Sequence, residues 1–211
     1  RRVVERRIIE PLGLRSFGLG VPESDQEDIA ELSVVGDPVS YDELSALIGD
    51  FDPSLLEEVT SEVLMAFNHA PIRAVGVPGG GGIATAADLA LYYQALLHNP
   101  GGMWDPAILA DGTGHIRCTL PNAMTGVASN RSLGLIVAGD DGLSNFRGMG
   151  ATVSSRAFGH NGAAGQIVWA DPANGVSFAL TTSGIDPHYL REGKRIASLG
   201  SAAGRCGPKP G

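Results

Sequence analysis

The hydrophobic period changes from 3.6 to 2 near Asn130, and that change constrains the fold more than any other feature. Before it, apolar residues recur at helical spacing. After it they alternate, as in "GVSFALTTS", where Val176, Phe178 and Leu180 alternate with Ser177, Ala179 and Thr181. "RSLGLIVAG", "AGQIVWADP" and "GVSFALTTS" read as three strands, and "HYLREGKRIASL" as a closing helix. Helices, then antiparallel strands, then a helix make an α+β pattern rather than a βαβ one. The expected organisation is a helical region over 1–130, strands and a closing helix of the same domain over 131–200, and a flexible Gly/Pro-rich tail over 201–211. With 211 residues and 43% hydrophobic content, the chain can bury a sizeable core.

Local signals place the helices. Val3, Val4, Ile8 and Ile9 share one stripe, and Pro11 with Gly13 is expected to stop that helix. Ser40 with Glu43 fits a capping box. Asp52-Pro53 fits an N-cap followed by proline at the first helical position, leading a helix through Leu55, Leu56, Val59, Val63 and Phe67. Thr85 and Asp88 cap the clearest helix, which carries Leu89, Tyr92, Tyr93, Leu96 and Leu97 and is expected to end at Gly101-Gly102. "WDPAIL" reads as one more short turn, and "DPANG" as a hairpin loop.

Several function classes find no support. A net charge of −8 argues against nucleic-acid binding. No apolar run approaches the roughly 20 residues that span a bilayer. Cys118 and Cys206 read as free thiols, and the five histidines are scattered, so no metal site is expected. "GGGGIAT" lacks the lysine of a phosphate loop and "FGLGVPE" lacks the third glycine of a dinucleotide site, so no cofactor is expected.

Four segments, taken in order, resemble the serine β-lactamase-like hydrolases, the family of class C β-lactamases, penicillin-binding proteins and related esterases. They are "RRIIEPLGL", "VPGGGGIATAADLALYYQALL", "SLGLIVAG" and "FGHNGAAGQIVWADPANGVSFALTTSG". The resemblance implies a partial β-lactamase-like fold. It also implies an acyl-serine mechanism that needs S-x-x-K for the nucleophile and its base, Y-x-N or S-x-N for a proton relay, and a K-T-G or H-x-G strand as the third wall.

Only the third element is present. The lysines are Lys194 and Lys209, and the residues three places earlier are Arg191 and Cys206. Two residues after Tyr41, Tyr92, Tyr93 and Tyr189 stand Glu43, Gln94, Ala95 and Arg191, and no asparagine follows a serine by two. The H-x-G element is His160, Asn161 and Gly162. By resemblance, His160 takes the place of the K-T-G lysine, Gly162 allows close approach of substrate, and the backbone N–H of Ala163 is an oxyanion donor. Asn161, Gly81 and Gly82 are the expected substrate-binding residues. Lysine stays charged at pH 7 whereas histidine can be neutral, which favours simple esters over β-lactams. The expected reading is the C-terminal portion of a serine hydrolase acting on a small ester or amide, with its nucleophile outside this chain and an uncovered sheet edge inviting self-association. The alternative is an inactive remnant or binding module of the same fold.

Overall fold

A computed structural model of the chain describes residues 1–49, 59–123 and 125–208. The opening helix runs Arg2–Val4, Glu5–Ile9 and Glu10–Leu12, with Glu5–Ile9 in the wider π register, and ends on Gly13 at φ 63. Pro11 therefore does not stop the helix, as the sequence suggested. Proline lacks an N–H and crowds the carbonyl four residues back, and a π turn just before it loosens that contact. Val4, Ile8 and Ile9 of the expected stripe are half-buried, whereas Val3 is exposed.

Ser40 caps the Tyr41–Ile48 helix by accepting the Glu43 N–H at 3.2 Å, and Leu44 beneath it is buried. The Asp52-Pro53 start, with Leu55 and Leu56, lies outside the described residues. Val63 and Phe67 do not share the single helix expected. Thr60 caps a separate Ser61–Met65 helix, and Phe67 falls in a 3-10 turn, Ala66–Asn68. The Ala86–His98 helix forms as expected, with Thr85 Oγ accepting the Asp88 N–H at 3.2 Å. It ends on Asn99, left-handed at φ 44, rather than at Gly101-Gly102. The Asn99 amide exchanges two hydrogen bonds with the Trp104 backbone, at 2.8 and 3.0 Å, which offsets the strain. "WDPAIL" opens a full helix, Pro106–Gly114, capped by Asp105.

The main sheet is antiparallel. Its order is β4 (Ile136–Val137), β5 (Phe158–Asn161), β6 (Ile167–Asp171), β7 (Val176–Leu180). Only two residues of the expected "RSLGLIVAG" strand enter it as β4. Instead, single bridges join Arg131 to Ile136 and Cys118 to Arg131, so a flap of residues 117–123 and 125–131 extends the sheet beyond β4. Two small pairs complete the strands: β1 (Gly18–Leu19) with β3 (Gly82–Ile83), and β2 (Ser33–Val34) parallel to β8 (Gly184–Ile185).

Strand alternation sorts side chains onto two faces. Phe158, Val168 and Ala170 meet Tyr93 and Leu97 of the Ala86–His98 helix. Ile136, Ile167 and Trp169 meet Met149 and Ile196, the latter on the closing helix Tyr189–Ala203. Trp169 is fully buried and packs on Phe178 at 5.5 Å between ring centroids. The closing helix runs four residues past Leu199, because Ser201 accepts the Ala151 N–H through Oγ and the Thr152 hydroxyl through its carbonyl. Among the described residues, β7 is the outer strand at the end opposite β4.

Candidate active site

His160 sits inside β5, directly opposite Val168, and not at a turn entering the sheet. It shares a face with Phe158, two residues earlier, whose cross-strand partner is Ala170. Asn161 pairs with Ile167 and lies on the other face, beside Gly148. Strand geometry thus separates the side chains of His160 and Asn161, which the sequence grouped at one site.

Among the described residues, the edge of β5 is open where His160 lies. β4 reaches only to Gly159, opposite Ile136. The Ala157 carbonyl points toward the β4 side, accepting Ala138 N–H at 2.8 Å. Backbone groups alternate along a strand, so Asn161 points the same way, beyond the end of β4. Its carbonyl accepts the His160 Nδ1–H at 2.6 Å. Gly162 then turns its N–H back to the Gln166 carbonyl at 2.7 Å. A single 3-10 turn, Ala163–Gly165, follows, with exposed Ala163 at its start and Ala164 left-handed at φ 57.

The glycines have internal reasons for being there. A Cβ on Gly162 would lie 2.9 Å from Gln166 Cβ, so the turn itself requires glycine, whatever approaches from outside. A Cβ on Gly81 would lie 2.4 Å from the Val77 nitrogen. Gly82 pairs with Leu19. Gly81 and Gly82 thus belong to the 76–83 turn and its small strand pair.

Four residues that sequence reasoning missed shape the site. Gln166 locks the turn to the end of β7, its amide exchanging 2.7 and 2.9 Å hydrogen bonds with the Thr182 backbone. Glu192 and Arg195 of the closing helix lie under Gly165. Burial pushes the Glu192 carboxyl up to about 7; Arg195 opposes this, and Asp186 adds to it. Arg131, on the flap, places Nη1 3.2 Å from His160 Nε2. Nothing in sequence spacing links Arg131 to His160, 29 positions apart.

The flap and its surroundings are held by Arg147, whose side chain is almost wholly buried. It donates to the Ala128 and Ala138 carbonyls and grips the Asp141 carboxylate with two nitrogens, at 2.8 and 2.5 Å. That hydrogen bonding holds the Asp141 carboxyl down at about 2. A cavity of about 640 Å³ lies beyond Phe158, between Leu96, Leu97, Leu109 and Val137, and His160 is not part of its wall. Among the described residues no cluster of histidine, cysteine and carboxylate could hold a metal, and no helix is long and apolar enough to cross a membrane.

Residues 1–200 match the family described as Beta-lactamase. The chain is similar to Esterase/beta-lactamase LipL of Mycobacterium tuberculosis, 28% identical over 191 residues that cover 85% of this chain and 42% of the relative. Its fold is similar to that of a penicillin-binding protein homolog from Caulobacter crescentus, at a TM-score of 0.64 and 24% identity over 95% of this chain and 52% of the other. It is also similar to a family VIII carboxylesterase, at 0.63 and 21% over 94% and 51%. The chain therefore spans about half the length of these proteins. With a family match over nearly its whole length and an antiparallel sheet that carries the H-x-G strand at an open edge, this chain belongs to the β-lactamase family.

Proposed function

We propose that the chain is the C-terminal portion of a serine hydrolase, an esterase acting through an acyl-serine intermediate. The observation that carries this is β5: its edge is open from His160 onward and runs directly into the Gly162–Gly165 turn. The names of LipL and the family VIII carboxylesterase support an ester substrate, and the half-length match supports a nucleophile lying outside this sequence.

In the proposed reaction a serine hydroxyl adds to the ester carbonyl while its proton passes to a neighbouring base. The bond to the alcohol then breaks, the alcohol leaves with a proton, and water hydrolyses the acyl-serine. This chain supplies the opposite wall. In this reading the Ala163 N–H donates to the developing oxyanion, a contribution typically worth about 3–4 kcal/mol. His160 lines the cleft beside it, and Gly81 and Gly82 would bear on substrate only as rim backbone. The outer edge of β7 is where further strands of the complete domain, or a second chain, would add.

In the complete protein, His160→Ala is expected to lower hydrolysis of a short-chain nitrophenyl ester at least about tenfold, the equivalent of ~1.4 kcal/mol in the barrier. Circular dichroism should show the fold retained. Unchanged turnover in a folded variant would remove His160 from the site.

A further inference from the structure

Both ring nitrogens of His160 are engaged. Nδ1 lies 2.6 Å from the Asn161 carbonyl oxygen, and Nε2 lies 3.2 Å from Arg131 Nη1. A carbonyl oxygen only accepts, so Nδ1 carries a proton. A guanidinium only donates, so Nε2 offers its lone pair. Together the two contacts select the neutral ring protonated on Nδ1. We propose that Arg131 is the positioning residue of this wall: it fixes His160 in that tautomer and itself carries the wall's permanent positive charge. The inference rests on the reading of His160 as part of an ester cleft.

Arg131 is well placed for this. Its N–H donates to the Cys118 carbonyl at 2.9 Å, and its own carbonyl accepts from Arg117 and Cys118 at 2.7 and 3.1 Å. The bridge to Ile136 sets this backbone next to the point where β4 ends and the edge of β5 opens. None of these contacts uses the side chain, so the guanidinium is presented by a backbone that does not depend on it. Arginine stays protonated at any working pH. The lysine of K-T-G supplies cation and donor in one side chain, and here the two roles are divided. Arg131 holds the charge, and His160 presents a ring whose polar atoms are both occupied. Such a ring shapes the wall and does not carry protons while Arg131 stays in place.

The test is long-range ¹H–¹⁵N correlation spectroscopy of the chain labelled in its histidine rings, at pH 8, with the His160 signals identified by their loss in His160→Gln. The expected spectrum shows a protonated Nδ1 and a lone-pair Nε2. Arg131→Ala should shift the balance severalfold toward Nε2–H, and Arg131→Lys, which keeps an obligate donor, should restore the original pattern. Backbone amide spectra should overlay, and Arg131→Met replaces the alanine variant if that one does not fold. A wild-type ring protonated on Nε2, or ring signals unmoved once the donor is removed, would overturn the assignment. Ester hydrolysis is not measured here, so failure of the tautomer is distinguishable from failure of the esterase reading.

Discussion

Asp171→Ala is expected to destabilise the domain by about 3–5 kcal/mol, more than any substitution at the cleft. Asp171 ends β6, and its side chain is almost wholly buried. One carboxylate oxygen accepts the Ser154 N–H at 2.7 Å, and the other accepts the Ser154 hydroxyl at 2.6 Å and the Ala173 N–H at 2.9 Å. One side chain thus ties the loop entering β5 to the hairpin leaving β6. Alanine would leave two backbone donors without partners, each costing about 1–3 kcal/mol, and would add a cavity. Domains of this kind are stable by about 5–15 kcal/mol, so a loss this large should be plain in the urea midpoint. Asp171→Asn should recover less than half of it, because an amide replaces one accepting oxygen with a donor. A loss below about 1 kcal/mol would show that the carboxylate is not the tie described.

Glu192→Gln is expected to stabilise the protein at pH 8 by about 2–3 kcal/mol and to leave it nearly unchanged at pH 4. Burial holds the Glu192 carboxyl at about 7 in the folded chain, and the Arg195 guanidinium, 3.6 Å away, does not reverse this. A free glutamate titrates near 4.3, on the order of 2.5 units lower. A group whose folded value is raised contributes its full stability below the unfolded value, and that stability is lost as pH rises through the folded one. For wild type the loss therefore runs from about pH 4.3 to about pH 7, at roughly 1.4 kcal/mol per unit. Glutamine mimics the protonated acid and removes the dependence. Glu192 Oε1, with Arg195 Nε and Nη2, is buried without a hydrogen-bond partner, consistent with a carboxyl that gains little from ionising. Parallel stability–pH curves for the two proteins would contradict this.

The legible part of the fold was the part written in short range. Ser40 and Thr85 were readable as caps because a cap needs only a side-chain oxygen and an N–H three residues on. The β6–β7 hairpin was readable because alternation and a turn sequence sit side by side. Asp88 shows where this stops. It occupies a capping-box position, yet its carboxylate accepts the Ser16 N–H, 72 residues away. Likewise the flap was invisible because it joins the sheet through single bridges, Cys118 to Arg131 and Pro121 to Ala128, rather than through a continuous strand. The Asn99 helix end went unread because its left-handed turn is stabilised by Trp104. At the site, His160 and Gly162 could be found from a motif. Gln166, Arg131 and Glu192 could not, since each reaches the strand or its turn through contacts that no spacing encodes.

As proposed above, this chain is one wall of a cleft whose nucleophile lies outside its sequence. The most direct test is fluorophosphonate labelling read by intact mass, applied both to the 211-residue chain and to the product of the same gene extended upstream through an in-frame S-x-x-K. One label per molecule is expected on the extended protein, at that serine, and none on the chain alone. Stoichiometric labelling of the 211-residue chain, or an extended protein that carries the motif and stays unlabelled, would contradict it.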